Sequence, residues 1–146
     1  MKVQFKILEH GHAPFFATEG AVCADCFARI ENFFDVIRPS ERKVIPLGFA
    51  VAIPEGYELV VRPRSGLSSN EIDVLIGTID SDYRGEVKAI IVNNSAENFK
   101  ICDGDRICQI ALREVPKMEI ETVNELPKTA RGDKGFGSTG GVQTYD

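Results

Sequence analysis

The chain has 146 residues, with 17 Lys and Arg against 22 Asp and Glu, giving a formal net charge of -5. That length fits one domain able to bury about 68–70% of its unfolded surface, so a core needs no disulfides. The acidic balance speaks against a nucleic-acid binder, and an anionic ligand would need positive charge gathered locally.

No stretch approaches the ~20 apolar residues of a membrane span. Lys2, Lys6, Glu9 and His10 interrupt any apolar run near the N-terminus, so neither a membrane anchor nor a secretory signal is expected. The expected compartment is cytoplasmic, with the four cysteines as reduced thiols.

In chain order, residues 2–8 alternate, placing Val3, Phe5 and Ile7 on one face of a first strand. His10-Gly11-His12 reads as a solvated turn, since a His-x-His metal pair has no third ligand in view. Residues 21–30 read as a second strand containing Cys23-Ala24-Asp25-Cys26. CxxC spacing in an extended segment, without a second pair, reads as small core cysteines before zinc. Residues 31–42 read as irregular, turning at Asn32 and Pro39-Ser40. Residues 43–64 carry short strands punctuated by Pro46, Pro54 and Pro63. A short helix is plausible only over 65–70.

The next stretch holds the chemistry. Ile72, Val74 and Ile76 alternate with Asp73 and Leu75, and Val87, Ala89 and Ile91 alternate with Lys88 and Ile90. Both flanks read as strands around Gly77-Thr78-Ile79-Asp80-Ser81-Asp82-Tyr83-Arg84-Gly85. Glycine lets backbone amides approach a ligand closely, and a carboxylate at a strand end can act as a base toward water. The competing reading is a solvated hairpin tip, where turns favour Asp, Ser and Gly anyway. Residues 98–112 read as an apolar hairpin around Asp103-Gly104-Asp105, and 118–123 alternate once more. Many short strands with almost no helical periodicity predict an all-β fold, a jelly-roll-like β-barrel with at most one short helix. Residues 1–126 form its body. Residues 127–146 form a flexible arm; half of the positions from Gly132 to Gly141 are glycine.

Several residue types suit phosphate. Arg64 offers a planar fork, and Ser65 with Gly66 would present a hydroxyl and amides at a helix N-terminus. A plain loop with a surface salt bridge is the alternative. Arg131, Ser138, Thr139 and the arm's glycine amides suggest a second cradle, although no Walker A loop is present. Two such segments suit a polyphosphate. Phe136 would cover a planar base, pack the arm onto the body, or do both. Gln109 could donate to phosphate oxygens or be an ordinary strand-end amide. Asp25 reads on its own as a satisfied polar residue bracing an arginine.

Ala24-Asp25, then Pro63-Arg64-Ser65-Gly66-Leu67, then Gly77-Thr78-Ile79-Asp80-Ser81-Asp82-Tyr83-Arg84-Gly85, then Gly104-Asp105-Arg106-Ile107-Cys108-Gln109, then Gly135-Phe136-Gly137-Ser138-Thr139-Gly140 make five motifs in fixed order. Together they resemble the trimeric dUTPase family over nearly the whole chain. The resemblance implies hydrolysis of dUTP to dUMP and pyrophosphate, which limits uracil incorporation into DNA and supplies dUMP for dTTP synthesis. It implies Asp80 as the carboxylate that activates a water against the alpha phosphorus. Mg2+ would bridge the phosphates and reach the protein mainly through water, with Asp25 nearby. Tyr83 would pack under deoxyribose. Backbone around Val74, Gly77, Thr78 and Ile79 would read uracil, with Phe136 and Gly137 closing over the nucleoside. The implied assembly is a homotrimer with shared active sites. One subunit gives the first, second and fourth motifs, a second gives the hairpin and the third gives the tail.

Four positions depart from the family pattern. Lys134 stands where a small residue is usual, Val74 where some members place an amide, and Cys23 and Cys26 crowd the first motif. A dCTP deaminase, alone or bifunctional with dUTPase activity, shares the fold but typically lacks the terminal glycine-rich motif. A non-catalytic jelly-roll interaction protein is the other alternative.

Overall fold

The computed structural model describes residues 2–135. Strands run in the order β1 (Gln4–Ile7), β2 (Ala24–Phe27), β3 (Phe34–Ile37), β4 (Arg42–Pro46), β5 (Phe49–Ala52) and β6 (Tyr57–Arg62). A single helical turn, α1 (Ser65–Ser68), precedes β7 (Ile72–Val74), β8 (Gly77–Ile79), β9 (Lys88–Asn93), β10 (Phe99–Cys102) and β11 (Arg106–Glu114). The architecture is all-β. The sheets are ordered β2-β11-β6-β8, β4-β9-β7, β1-β5 and β10-β3. No continuous ladder closes them into a barrel among the described residues.

Period-two alternation builds the core. β9 turns Ala89, Ile91 and Asn93 inward and Lys88 and Ile90 outward. Phe49, Ile37, Leu47, Ile91, Ile101 and Ile107 are among the fully buried side chains, each stabilising by about 1.5–3 kcal/mol relative to exposure. Buried Asn93 is satisfied: its amide donates to the carbonyls of Ile37 and Glu97 at 2.8 and 2.7 Å, and its Oδ1 accepts from Ser95.

The pairing corrects four local expectations. Residues 31–42 are not all irregular, because Phe34–Ile37 pairs with β10. Residues 98–112 are not a hairpin: β10 joins β3, whereas β11 joins β2 and β6. Asp105 accepts from Cys102 N within the turn, while Asp103 accepts from Ile30 N and Ala28 bonds to Gly104 and Asp105, which ties the turn to the segment after β2. The flank before Asp80 is two strands, with exposed Leu75 and Ile76 at the break. Residues 118–123 form no strand; Met118 and Ile120 are exposed, and no strand among the described residues lies alongside to complete a ladder. No described helix is long and apolar enough to cross a membrane.

Candidate active site

The sheet switch at Leu75-Ile76 creates the site. β7 pairs with β9 as far as Val74 opposite Ile91, and Leu75 N still donates to Ile90 O at 2.9 Å. The chain then crosses to β6, placing Gly77 opposite Val61 and Ile79 opposite Leu59. β8 and β9 therefore part. Between them lies a slot of about 300 Å³, lined by Thr78, Ile79, Asp80, Tyr83, Glu86, Lys88 and Ile90 with Val44. That volume is at the small end of ligand sites. Among the described residues the edge of β8 facing the slot has no strand partner, so its N–H and C=O groups are available to a planar heterocycle. Gly77 touches the Val61 side chain at an ordinary 3.7 Å. Val74 belongs to the core, and its side chain does not line the slot.

The loop that carries Asp80 is braced from within. Tyr83 N donates to the Asp80 carbonyl at 3.1 Å. Arg84 Nη1 donates to the carbonyls of Ser81 and Tyr83 at 2.7 and 2.9 Å. Tyr83 Oη donates to the Glu86 carbonyl at 3.1 Å, and the ring lies over Gly85 so closely that a Cβ there would meet Oη at 2.3 Å. Asp80 itself is exposed, facing the slot on one side and a second, acidic depression with Glu55, Glu58 and Asp82 on the other.

Asp25 centres a second cluster. It lies on β2 opposite Gln109 of β11 and is nearly buried. Its Oδ1 accepts from Arg64 Nε at 3.1 Å, and its Oδ2 accepts from Arg64 Nη2 at 3.3 Å and Arg106 Nη1 at 3.2 Å. Arg64 Nη1 also donates to the Arg106 carbonyl at 2.8 Å. One carboxylate thus holds two guanidiniums, leaving the corner net positive on an acidic chain. Of the two readings of Asp25, the bracing of arginines is the one its contacts display. Gln109 Nε2 donates to the Pro63 carbonyl at 2.7 Å, tying the Arg64 loop to β11. Ser65 and Gly66 open only a four-residue turn, too short for a helix dipole. Leu67 and Ser68 N donate to Arg64 O, so the first two amides of the turn point outward without such a bond.

Other expected residues fall elsewhere. Arg131 is exposed, and its Nε donates to the Lys134 carbonyl at 2.9 Å. Phe136, Gly137, Ser138 and Thr139 lie outside the described residues. His10 occupies an exposed left-handed turn, and His12 packs 5.2 Å from the Phe27 ring. Cys26 and Cys108 are core residues.

Sequence reading assigned no role to Arg29 or Glu86. Arg29 Nε and Nη2 grip the Glu86 carboxylate at 2.8 and 2.9 Å, and Gly48 N donates to it at 3.0 Å. Burial pushes the Glu86 carboxyl up, but the guanidinium and the amide outweigh it and hold the group below its ordinary range. Arg106 stands before a bulge in β11 that shifts the register ahead of Cys108, and its guanidinium reaches Asp25 at 3.2 Å.

Register separates the two clusters. Asp80 follows β8 toward the Tyr57 end of β6, whereas Arg64 lies beyond the Arg62 end. The intervening strand spans on the order of 20 Å.

A slot of heterocycle size edged by a carboxylate, and a separate guanidinium corner, stand on one all-β framework. A dUTPase family model matches residues 9–140. Deoxyuridine 5'-triphosphate nucleotidohydrolase of Finegoldia magna is 46% identical over 143 residues, covering 96% of this chain and 99% of the relative. The enzyme of the same name from Hydrogenobaculum sp. is 46% identical over 138 residues, covering 92% and 94%. A dUTPase of Staphylococcus bacteriophage 80alpha, solved with dUpNHpp, superposes with a TM-score of 0.87 at 27% identity, covering 95% of this chain and 98% of that one. The chain belongs to the dUTPase family. Its reaction is the hydrolysis of dUTP to dUMP and pyrophosphate, and the fold is the jelly roll of those enzymes.

Proposed function

We propose that each working site joins the Asp80 slot of one copy to the arginine corner of another, in a homotrimer with shared active sites. The observation that carries this is the separation of the clusters. In a single chain they stand at opposite ends of β6, too far apart to hold the two ends of one compact nucleotide.

In the assembled site, uracil enters between β8 and β9 and meets the backbone of Gly77, Thr78 and Ile79, with Val74 contributing backbone alone. Tyr83 forms the floor under deoxyribose, and its bulk excludes a 2'-hydroxyl. The triphosphate extends toward Arg64, Ser65, Gly66 and Gln109 of the neighbouring copy. The guanidiniums are held in place by Asp25, so little ordering remains when phosphate binds. Arg131, Phe136, Gly137, Ser138 and Thr139 close the site from the arm (127–146), Phe136 over the base and the hydroxyls on phosphate.

Asp80 is the base. It accepts a proton from a water as that water attacks the alpha phosphorus, and pyrophosphate leaves. The four bonds within Asp80–Glu86 brace the loop that carries the carboxylate.

No group of three or more described His, Cys, Asp or Glu residues could cage a metal ion. That suits Mg2+, which keeps its waters and travels on phosphates. Asp25 accepts three N–H bonds out of roughly four lone-pair positions, which leaves one for a metal-bound water. When bound, the ion would neutralise charge on the triphosphate. The substrate is a free nucleotide, and neither nucleic acid nor a membrane is a partner. Free thiols at all four cysteines accord with a cytoplasmic setting.

Pyrophosphate release from dUTP tests the assignment of Asp80. Asp80→Asn keeps the shape without the proton acceptor and should lower turnover ~100-fold or more with dUTP binding largely retained. Near-normal turnover would remove Asp80 from the role.

A further inference from the structure

We infer that the Arg29–Glu86 ion pair is a positioning device for the sugar floor, and so a determinant of discrimination between deoxyribose and ribose. The inference rests on the reading of Tyr83 as that floor. Glu86 acts at both ends. Its backbone carbonyl accepts the Tyr83 hydroxyl at 3.1 Å, which orients the ring. Its carboxylate is gripped by both arms of Arg29 at 2.8 and 2.9 Å. The two residues are 57 positions apart, so the pair fixes the Asp80 loop to the segment after β2. Both side chains are largely buried, at 19% and 16% exposed. Paired, shielded and bidentate charges resist screening and hold geometry better than surface pairs.

A third element completes the anchor. Gly48 N donates to Glu86 Oε1 at 3.0 Å. That amide is in reach because two glycines cross there. Gly48 has φ of +73°, and a Cβ on Gly11 would meet Gly48 O at 2.0 Å. Leu47 N and Val87 O, then Val87 N and Phe49 O, bond on either side. The end of the Tyr83 loop is therefore tied to β2, to the β4–β5 turn and, through it, to the β1 connection. Glu86 belongs to the slot wall, whereas Arg29 and Gly48 do not line the slot and act on it through Glu86 and Tyr83.

The test measures kcat and KM for dUTP and UTP in wild type, Arg29→Met, Arg29→Lys, Glu86→Gln and Tyr83→Ala, with melting temperature alongside. Arg29→Met should raise the UTP-to-dUTP efficiency ratio about tenfold, chiefly through KM for dUTP. Arg29→Lys, which keeps the charge but loses the fork, should fall between it and wild type. Glu86→Gln should shift the ratio in the same direction, and serves if Arg29→Met does not fold. A melting temperature that drops while the ratio stays within twofold of wild type in every folded Arg29 and Glu86 variant overturns the inference, because a mere loop tether would behave so. If Tyr83→Ala also leaves the ratio unchanged, the sugar-floor reading itself falls. If Tyr83→Ala changes it and the ion-pair variants do not, only the positioning role falls.

Discussion

Gly85→Ala separates function from stability in a single methyl group. The new Cβ would lie 2.3 Å from Tyr83 Oη and 2.6 Å from Cζ, where ordinary contact begins at 3.4 Å. The ring must therefore retreat by about 1 Å. It has room to do so, because Tyr83 is 42% exposed and held chiefly by its bond to the Glu86 carbonyl. Gly85 is not in the left-handed region, so alanine adds no backbone strain. Replacing glycine also trims the entropy of the unfolded chain by about 0.4–1 kcal/mol, which offsets the lost hydrogen bond. The expected change in stability is thus within about 1 kcal/mol. Function should suffer far more, since a misplacement of about 1 Å can cost on the order of 100-fold. Efficiency on dUTP should fall roughly 10- to 100-fold while efficiency on UTP changes much less. Pyrophosphate release with each substrate, beside a thermal melt, reads both quantities. A wild-type ratio in a folded Gly85→Ala protein would refute the reasoning that the ring's position sets sugar choice.

Two further outcomes follow from the charged clusters. Asp25→Asn strips the charge that holds Arg64 and Arg106; since Arg106 is 47% exposed, the cost should be about 1–3 kcal/mol rather than that of a fully buried pair. A thermal melt unchanged from wild type would show that Asp25 is no clamp. Glu86, and Asp35 through its hydrogen bond to Lys43, are held below their ordinary values of 4.5 and 3.8. Such groups add stability above those values and lose it as pH falls through their lower folded values. Melting temperature should therefore decline below about pH 4.5, and the gap between wild type and Arg29→Met should narrow there. A gap that stays constant into acid would contradict this linkage.

The residues that gather around the slot and the arginine corner were more legible in the sequence than the strand pairing. Asp80, Tyr83 and Gly85 could be named because turn residues and a carboxylate interrupt two alternating runs. Arg64, Asp25 and Gln109 stood out by type, and they do converge, with Arg106, into one corner. What alternation could not reveal is which strands become neighbours. Ile72 to Ile79 reads as one extended flank, yet the chain changes sheets at Leu75-Ile76, and that change opens the slot. Residues on either side of Gly104 read as a hairpin because local spacing favours one; backbone bonds to Ala28 and side-chain bonds from Asp103 and Asp105 decide otherwise. β3 was hidden because Asn32 and Pro39 frame only four strand residues. The grip of Arg29 on Glu86 joins positions with no local signal in common, and only tertiary packing brings them together.

The shared site is the central claim, and subunit exchange tests it most directly. Asp80→Asn chains supply a tail but no base, and chains cut before Arg131 supply a base but no tail. Each variant alone should be inactive. Unfolded and reassembled together in equal amounts, they give about three-quarters mixed trimers by random association. In every mixed trimer one site in three takes a working Asp80 and an intact tail from different copies. Activity should then approach roughly a quarter of wild type. No recovery after verified exchange of subunits would contradict a site built from separate copies.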